Sequence, residues 1–153
     1  MGGFCEWVSE VVGNRLTLPT ESQWEYATYG GSDDQEFPWG RMFDISKLWS
    51  SSTAKRTCTA AVDRKLFVHR NRYGLKDLSG NVWEWCGDLY SPYGGGTLSK
   101  FNAPMHSVDK NYCCRGGSWN NKDRAKFRCA NRSWYSSNVR YFLNGFRMVT
   151  ASS

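Results

Sequence analysis

The sequence predicts a single α+β domain, residues 1–153, in which two helices come first and an antiparallel sheet follows. Two helix-forming segments lie within residues 4–31, the middle of the chain shows no sustained periodicity, and short strand patterns occupy the C-terminal half. With 153 residues the chain has the length of one ordinary domain, and its 24 aromatic residues can supply a real core.

The two predicted helices have recognisable ends. Residues 4–12 carry apolar side chains at helical spacing, and Gly13 stops the pattern. The second helix begins in "LPTESQWEYATYGG", where Thr20 and Gln23 form a capping box and the glycine pair at 30–31 ends it. Residues 32–74 are expected to form long loops and short strands, with Trp39 packed beneath a loop.

Four short strands are predicted in the remaining sequence, within "VWEWC", "CCRGGSW", "FRCANR" and "NGFRMV". In the first of them Trp83 and Trp85 alternate with other residues, so we expect both in the core and Cys86 as a packed thiol. Cys113 and Cys114 are adjacent, so on a strand their side chains would face opposite sides of the sheet.

The charge is unevenly distributed. Residues 111–153 contain eight basic residues and one acidic residue, Asp123. A basic segment with interleaved aromatics fits a nucleic-acid-binding module, which is one alternative. We favour the interpretation that at least half of these basic side chains are buried or half-buried hydrogen-bond donors of a scaffold. We expect no membrane span, because no apolar run approaches the roughly 20 residues that a span requires.

Six segments occur in a recognisable order: "RLTLPTESQWEYA" (15–27), "FPWG" (37–40), "YGLKDLSGNVWEWCGD" (73–88), "RGGSW" (115–119), "RCANR" (128–132) and "GFRMV" (145–149). Together they resemble the formylglycine-generating enzyme (sulfatase-modifying factor) family, a variant of the C-type lectin fold. The resemblance covers nearly the whole chain and implies that fold for it.

The resemblance also bears on catalysis. The oxidising enzymes of that family place two cysteines between their "GGS" and "RCAAR" segments, where they hold copper and act on a substrate thiol. The corresponding window here, "WNNKDRAKF" (119–127), has no cysteine or histidine, so it lacks soft copper ligands. We expect no catalysis; a copper-dependent formylglycine-generating enzyme or related thiol oxidase is the alternative.

The cysteines give a further expectation through the same resemblance. The disulfide partners of Cys5 and Cys129 in the secreted enzymes fall at Met148 and Thr28 here, so we expect both cysteines to be free thiols. Reduced thiols leave the localisation open, and display on a virion or cell surface through a longer parent or a partner is one interpretation.

The frame "RGGSW…R.ANR…R…GFR" is similar to the C-terminal variable region of proteins diversified by retroelements, in which a reverse transcriptase changes residues at adenine-bearing codons. This implies that residues 115–149 are a variable region and that the chain is a non-catalytic binder of varied protein ligands. The implied ligand-binding positions are Lys122, Asp123, Arg124, Lys126, Ser133, Trp134, Tyr135, Ser136, Val139, Tyr141, Phe142 and Leu143.

The composition of these positions favours binding independently of the resemblance. Tyr and Trp give a large contact area at a low entropy cost, and Ser and Asn adapt their hydrogen bonds, as in antibody loops. We expect two or more of Trp134, Tyr135, Tyr141 and Phe142 to be substantially exposed. The alternative is an ordinary buried strand.

No cofactor is required by this interpretation, but calcium is considered. The resemblance implies a structural calcium held by the side chain of Asp77 and by the backbone carbonyls of Leu78, Gly80 and Val82. A carboxylate with turn carbonyls is suitable calcium chemistry. An Asp-initiated turn that needs no metal is the alternative.

Overall fold

Helices and a four-stranded sheet form the framework of the protein. The computed structural model describes residues 3–54, 58–65, 69–91, 93 and 110–150. The helices are α1 (Phe4–Val12), α2 (Glu21–Tyr29) and the short α3 (Ser51–Ala54). The strands are β1 (Leu16–Thr17), β2 (Trp83–Leu89), β3 (Asn111–Arg115), β4 (Arg132–Ser136), β5 (Asn144–Gly145) and β6 (Val149–Thr150). The architecture is α+β, as predicted.

The two N-terminal helices are confirmed with their predicted ends. Helix α1 stops at Gly13, whose φ of 69° is left-handed and suits a residue without a Cβ. At the start of α2 the Thr20 hydroxyl accepts a hydrogen bond from the Gln23 amide at 3.1 Å, and the Gln23 side chain accepts from the Thr20 amide at 2.9 Å. The capping box therefore satisfies two backbone donors that the helix leaves without partners.

The main sheet has the strand order β4-β3-β2-β5. Strands β2, β3 and β4 are antiparallel, as predicted. Strand β5 pairs parallel to β2, with Asn144 opposite Trp83, so the sheet is antiparallel except at this edge. Strands β1 and β6 form a separate two-stranded antiparallel ribbon.

The prediction of a strand within "FRCANR" is wrong. Residues Arg124–Phe127 form a 3-10 helix, and β4 begins only at Arg132. The buried Arg115 guanidinium explains the displacement, because it donates to the carbonyls of Ala130 and Asn131 at 3.1 and 2.9 Å. These two carbonyls satisfy an arginine inside the protein, and the strand ladder starts after them.

The core is divided between the two faces of the sheet. On the face toward α2, Trp24 and Leu78 pack with Cys86 and Cys113. The opposite face buries Trp83, Cys114, Trp119 and Leu143. The expectation that Cys113 and Cys114 face opposite sides is therefore confirmed. Trp83 is buried as predicted, but Trp85 is only half-buried.

A third cluster underlies the irregular middle of the chain. It contains Phe37, Leu48 and Phe127, with the half-buried Trp39 stacked on Phe37 at 5.5 Å between ring centroids. The described part of residues 32–74 contains α3, a 3-10 turn at Ile45–Lys47 and isolated bridges. No helix among the described residues is long and apolar enough to cross a membrane.

Arginine–glutamate pairs join elements that are distant in sequence. The fully buried Arg115 lies 2.7 Å from the Glu25 carboxylate, Arg132 donates to both carboxylate oxygens of Glu21, and Arg147 does the same to Glu84. The planar guanidinium suits such two-point contacts. The scaffold interpretation is thus confirmed for these three residues, while Arg128 pairs with Glu36 at the surface.

Candidate ligand-binding face

Five aromatic rings form a continuous row on the face of the sheet opposite α2. We call this row the aromatic strip: Trp85, Tyr135, Tyr141, Phe142 and Trp119. Their neighbouring ring centroids are 6.1, 6.0, 5.0 and 6.2 Å apart in that order. Such spacings lie in the range of favourable aromatic pairs, so the rings support one another.

Backbone pairing holds the strip in place. Tyr135 lies on β4 opposite Tyr112 of β3, and Trp85 lies on β2 opposite Cys114 of β3. The connection from β4 to β5 is closed by turn hydrogen bonds: the Val139 amide donates to the Ser136 carbonyl at 3.0 Å, and the Asn144 amide donates to the Tyr141 carbonyl at 2.9 Å. A surface built in this way is organised before any ligand arrives.

The expectation of exposed aromatic side chains is confirmed. Phe142 is 66% exposed, Trp134 50% and Tyr141 39%, and Val139 is also exposed. Tyr135 is half-buried, since it packs between two other rings of the strip. Exposed aromatic side chains that lie together on a surface are typical of an interaction site.

A basic loop adjoins the strip. Trp119, whose ring contacts Phe142, directly precedes residues 120–126 in the chain. Lys122 and Arg124 are exposed there, and Lys126 is half-buried. The Asp123 carboxylate accepts a hydrogen bond from the Ala125 amide at 2.9 Å and so caps the 3-10 helix. Asp123 therefore also has a local structural task.

The loop is held on its inner side by frame residues. The Asn121 side chain accepts hydrogen bonds from the amide and the hydroxyl of Ser118 at 2.8 and 3.1 Å. Gly117 has a φ of 73°, and a Cβ there would lie 2.8 Å from the Lys126 carbonyl oxygen. Only glycine permits this close approach, so the "RGGSW" segment fixes the path of the loop.

The structure does not bring all the predicted site residues together. Because side chains alternate along a strand, Trp134 lies on the opposite face from Tyr135. Its ring contacts Tyr90, at 6.3 Å between centroids. Ser136 shares the face of Trp134, whereas Ser133 shares the face of Tyr135, and both serines are half-buried. Trp134 is thus exposed but lies apart from the aromatic strip.

The structure corrects the prediction for Leu143. It was predicted as a ligand-binding position, but its side chain is only 5% exposed and packs in the cluster of Trp83, Cys114 and Trp119. The physical reason is the start of β5, whose pairing with β2 directs Leu143 into the core: the Leu143 carbonyl accepts a hydrogen bond from the Trp83 amide at 2.8 Å. Leu143 supports the strip from beneath.

Two rings of the strip come from residues that the sequence assigned elsewhere. Trp85, predicted in the core, is half-buried, whereas Trp119, assigned to the frame, is only 5% exposed and supports Phe142 from the core side. Both stand beside exposed rings and form the two ends of the strip. The alternation of Trp83 and Trp85 does predict a shared face, but the sequence alone does not indicate that this face bears the exposed rings.

A charged cluster lies under the other face of the sheet. Arg132 donates to both oxygens of Glu21, at 2.6 and 2.7 Å, and stacks over the rings of Tyr90 and Tyr93. Burial alone would raise the pKa of the Glu21 carboxyl, but the hydrogen bonds from Arg132 and Cys113 and the charges of Arg115 and Arg132 lower it. The cluster connects α2 to β3 and β4 and serves the scaffold.

All six cysteines lie in the described part of the chain and are free thiols, as expected for Cys5 and Cys129. Burial, together with the neighbouring Glu21, raises the pKa of Cys113 to about 12. Burial likewise raises the pKa of Cys129 to about 12. Both thiols are therefore protonated at neutral pH and poorly nucleophilic.

The Asp77 turn pairs with an arginine. Both carboxylate oxygens of Asp77 accept hydrogen bonds from the Arg64 guanidinium, one of them at 2.9 Å, and the two side chains are only about a tenth exposed. A cation bound by Asp77, Leu78, Gly80 and Val82 would have to displace Arg64. Among the described residues no group of three or more histidine, cysteine or acidic side chains is arranged to hold a metal. The Asp77 carboxylate is therefore occupied by the Arg64 guanidinium, and the turn fits an Arg–Asp ion pair.

Comparison with known proteins agrees with this architecture. The model of the sulfatase-modifying factor enzyme 1-like domain matches residues 2–152. The chain belongs to this family.

Relatives within the family differ in catalytic status. The chain is 39% identical to the inactive C-alpha-formylglycine-generating enzyme 2 of Mus musculus over 100 residues, which are 61% of this chain and 30% of that protein. It is 31% identical to the formylglycine-generating enzyme of Mus musculus, with 94% of this chain and 40% of that protein covered. The chain thus spans less than half the length of both. Family membership alone does not decide whether the domain is catalytic.

Among solved structures, the chain is similar to Treponema denticola variable protein 1. The TM-score is 0.68 at 28% sequence identity, and the match covers 88% of this chain and 47% of that one. The predicted fold, a C-type lectin fold of the formylglycine-generating-enzyme type, is confirmed by the family match and by this neighbour.

Proposed function

We propose that the chain is a non-catalytic ligand-binding protein whose C-terminal face is diversified by a retroelement to recognise varied protein partners. The ligand-binding face consists of the aromatic strip and the adjoining basic loop. The observation that carries the proposal is a division between frame and face. Arg115, Arg132 and Arg147 form ion pairs with glutamates that connect elements of the scaffold. The side chains of Tyr141 and Phe142 are exposed instead.

This division is what a diversified binder needs. Exchanging exposed residues on a rigid frame changes the ligand without changing the fold. Strand pairing and the Gly117 turn hold the backbone of the face independently of the exposed side chains. The similarity to Treponema denticola variable protein 1 supports the same interpretation.

The non-catalytic part of the proposal has separate support. The window at 119–127 contains neither cysteine nor histidine. The buried thiols of Cys113 and Cys129 keep their protons at neutral pH, so neither supplies a nucleophile or a soft metal ligand there. The similarity to a relative described as inactive agrees.

The test replaces exposed residues of the ligand-binding face and leaves the scaffold residues unchanged. Several variants receive different residues at Lys122, Arg124, Val139, Tyr141 and Phe142, and each is measured by urea unfolding and on one array of purified candidate proteins. We expect unchanged unfolding midpoints and a different bound set for each variant. A control changes three exposed positions elsewhere, Ser22, Met42 and Val62, and is expected to keep the parental bound set.

Two outcomes would contradict the proposal. If face variants lose their folding, the exchanged residues belong to the scaffold. If all variants and the parent bind one common set, recognition lies elsewhere on the molecule. The enzyme alternative is tested separately: copper-dependent oxidation of a thiol peptide above the rate of copper alone would show that the chain is catalytic.

A further inference from the structure

The arrangement of the rings in the aromatic strip limits what can bind there. The planes of Trp85 and Tyr135 are inclined by 70°, those of Tyr135 and Tyr141 by 52°, those of Tyr141 and Phe142 by 68° and those of Phe142 and Trp119 by 35°. Neighbouring rings inclined in this way do not present a series of parallel open faces. Stacking of successive bases needs open faces, so this geometry favours apolar side chains of a protein over a single strand of nucleic acid.

The charge around the strip gives the second limit. Arg115, Arg132 and Arg147 pair with glutamates within the scaffold, and Arg128 pairs with Glu36 at the surface, so half of the basic residues after position 110 already have an acidic partner. The remaining four are Lys122, Arg124, Lys126 and Arg140, and Asp123 is the only acidic side chain among them. We call Lys122, Arg124 and Arg140 the basic rim, because all three are exposed.

Two links bring the basic rim near the strip. Arg140 directly precedes Tyr141 in the chain, and Lys122 and Arg124 follow within five residues of Trp119, whose ring contacts Phe142. An apolar centre with a polar, charged margin is the usual arrangement of a protein–protein interface. Complementarity then sets the partner: apolar groups opposite the rings and negative charge opposite the rim.

Resting on the proposed function, we propose that the partner of this face is a protein segment that presents an apolar protrusion ringed by carboxylate side chains. Phe142, the most exposed ring of the strip, is the central contact. The rim residues select against partners with basic margins, because like charges brought together oppose binding. The opposite face of β4, with Trp134 beside Tyr90, takes no part.

The experiment uses defined probes with the whole chain. Three disulfide-closed peptides share one length: a Trp-Leu centre with Asp and Glu flanks, the same centre with Lys flanks, and a Ser-Ser centre with Asp and Glu flanks. Oligothymidylate is the fourth probe. Binding is measured for the parent, for Phe142→Ala, for the double charge reversal Arg124→Glu with Arg140→Glu, and for Trp134→Ala as the matched control.

We expect the apolar, acidic-flanked peptide to bind at least about tenfold more tightly than the other probes. Phe142→Ala weakens it by at least roughly tenfold, as removal of a central aromatic contact does. The double charge reversal transfers the preference to the Lys-flanked peptide. Trp134→Ala changes neither affinity nor preference.

Contrary results separate this inference from the proposed function. Equal binding of acidic- and basic-flanked peptides, still lost in Phe142→Ala, overturns the carboxylate rim and leaves the binding face standing. Failure of every peptide to bind overturns the inference, while the face exchange on the protein array decides the proposed function independently. Oligothymidylate binding that Phe142→Ala abolishes overturns both in favour of nucleic acid.

Discussion

Trp134 and Tyr135 are neighbours in sequence and lie on opposite faces of strand β4. The Tyr135 ring contacts Trp85 and Tyr141, whereas the Trp134 ring contacts Tyr90. The alternation of a strand thus sends two aromatic residues of one segment to two separate surfaces. A ligand that lies flat on the aromatic strip therefore does not face Trp134.

The first prediction follows from this separation. With a protein captured by the parent chain as ligand, Phe142→Ala or Tyr141→Ala is expected to weaken binding at least about tenfold, since both rings are exposed on the strip. Trp134→Ala is expected to leave the dissociation constant within about twofold. Calorimetry or surface plasmon resonance measures both. If only Trp134→Ala lost binding, the ligand-binding site would lie on the α2 side of the sheet.

The second prediction compares Leu143 with Phe142. Leu143→Ala removes a buried side chain beside Trp83 and Trp119, and we expect it to lower the free energy of unfolding by about 2–5 kcal/mol. Phe142→Ala removes an exposed ring, and we expect a loss below about 1 kcal/mol. Urea unfolding of the two variants gives the difference directly. Equal losses would mean that Phe142 belongs to the core.

The sequence could predict those features that depend on contacts between residues close together in the chain. The ends of α2 were predictable because Thr20 and Gln23 bond each other within one helical turn. The opposed faces of Cys113 and Cys114 followed from strand geometry alone. These features need no knowledge of the rest of the chain.

The parts that were not predictable depend on distant partners. Strand β4 begins later in the chain than predicted because the Arg115 side chain donates hydrogen bonds to the carbonyls of Ala130 and Asn131. Leu143 is buried because β5 pairs with β2, some sixty positions earlier in the chain. Neither contact leaves a periodic signal in the local sequence, so the displaced strand, the parallel edge and the exclusion of Leu143 from the face required the structure.

The third prediction concerns the Glu21–Arg132 pair and acid. The pKa of Glu21 is lowered in the folded protein from its ordinary value of 4.5. The stability that this contributes is present above the unfolded-state pKa and is lost as the pH falls through the folded-state pKa. Glu21→Gln is therefore expected to cost about 2–3 kcal/mol at pH 7 and to flatten the decline of stability below about pH 4.5.

Urea unfolding between pH 3 and pH 7 tests this. The control is Glu10→Gln, an exposed carboxylate of α1, which is expected to follow the parent's pH dependence. A Glu21→Gln variant with the parent's slope would show that other carboxylates cause the acid sensitivity.

The fourth prediction concerns the thiols. Cys58 is exposed, whereas Cys86, Cys113, Cys114 and Cys129 are buried. Burial raises the pKa of each of these four, so their reactive thiolate forms are scarce at pH 8 and reagents cannot reach them. With a disulfide reagent at pH 8 we expect fast labelling of Cys58 and labelling of the buried four only in denaturant. Cys58→Ser should remove the fast phase; fast labelling of Cys113 would contradict its burial.

The fifth prediction concerns calcium and Asp77. Arg64 bonds both oxygens of the Asp77 carboxylate, so a cation there would first have to break a largely buried ion pair. We therefore expect the melting temperature in excess calcium to stay within about 1 °C of the value in chelator. If the turn did bind calcium, a calcium concentration of a hundred times the Kd would raise the free energy of unfolding by roughly 2.7 kcal/mol. Arg64→Ala frees the carboxylate, and this variant is expected to be less stable and to gain stability from calcium. A rise of several degrees in the parent chain would show that calcium displaces Arg64 and that the turn is a metal site.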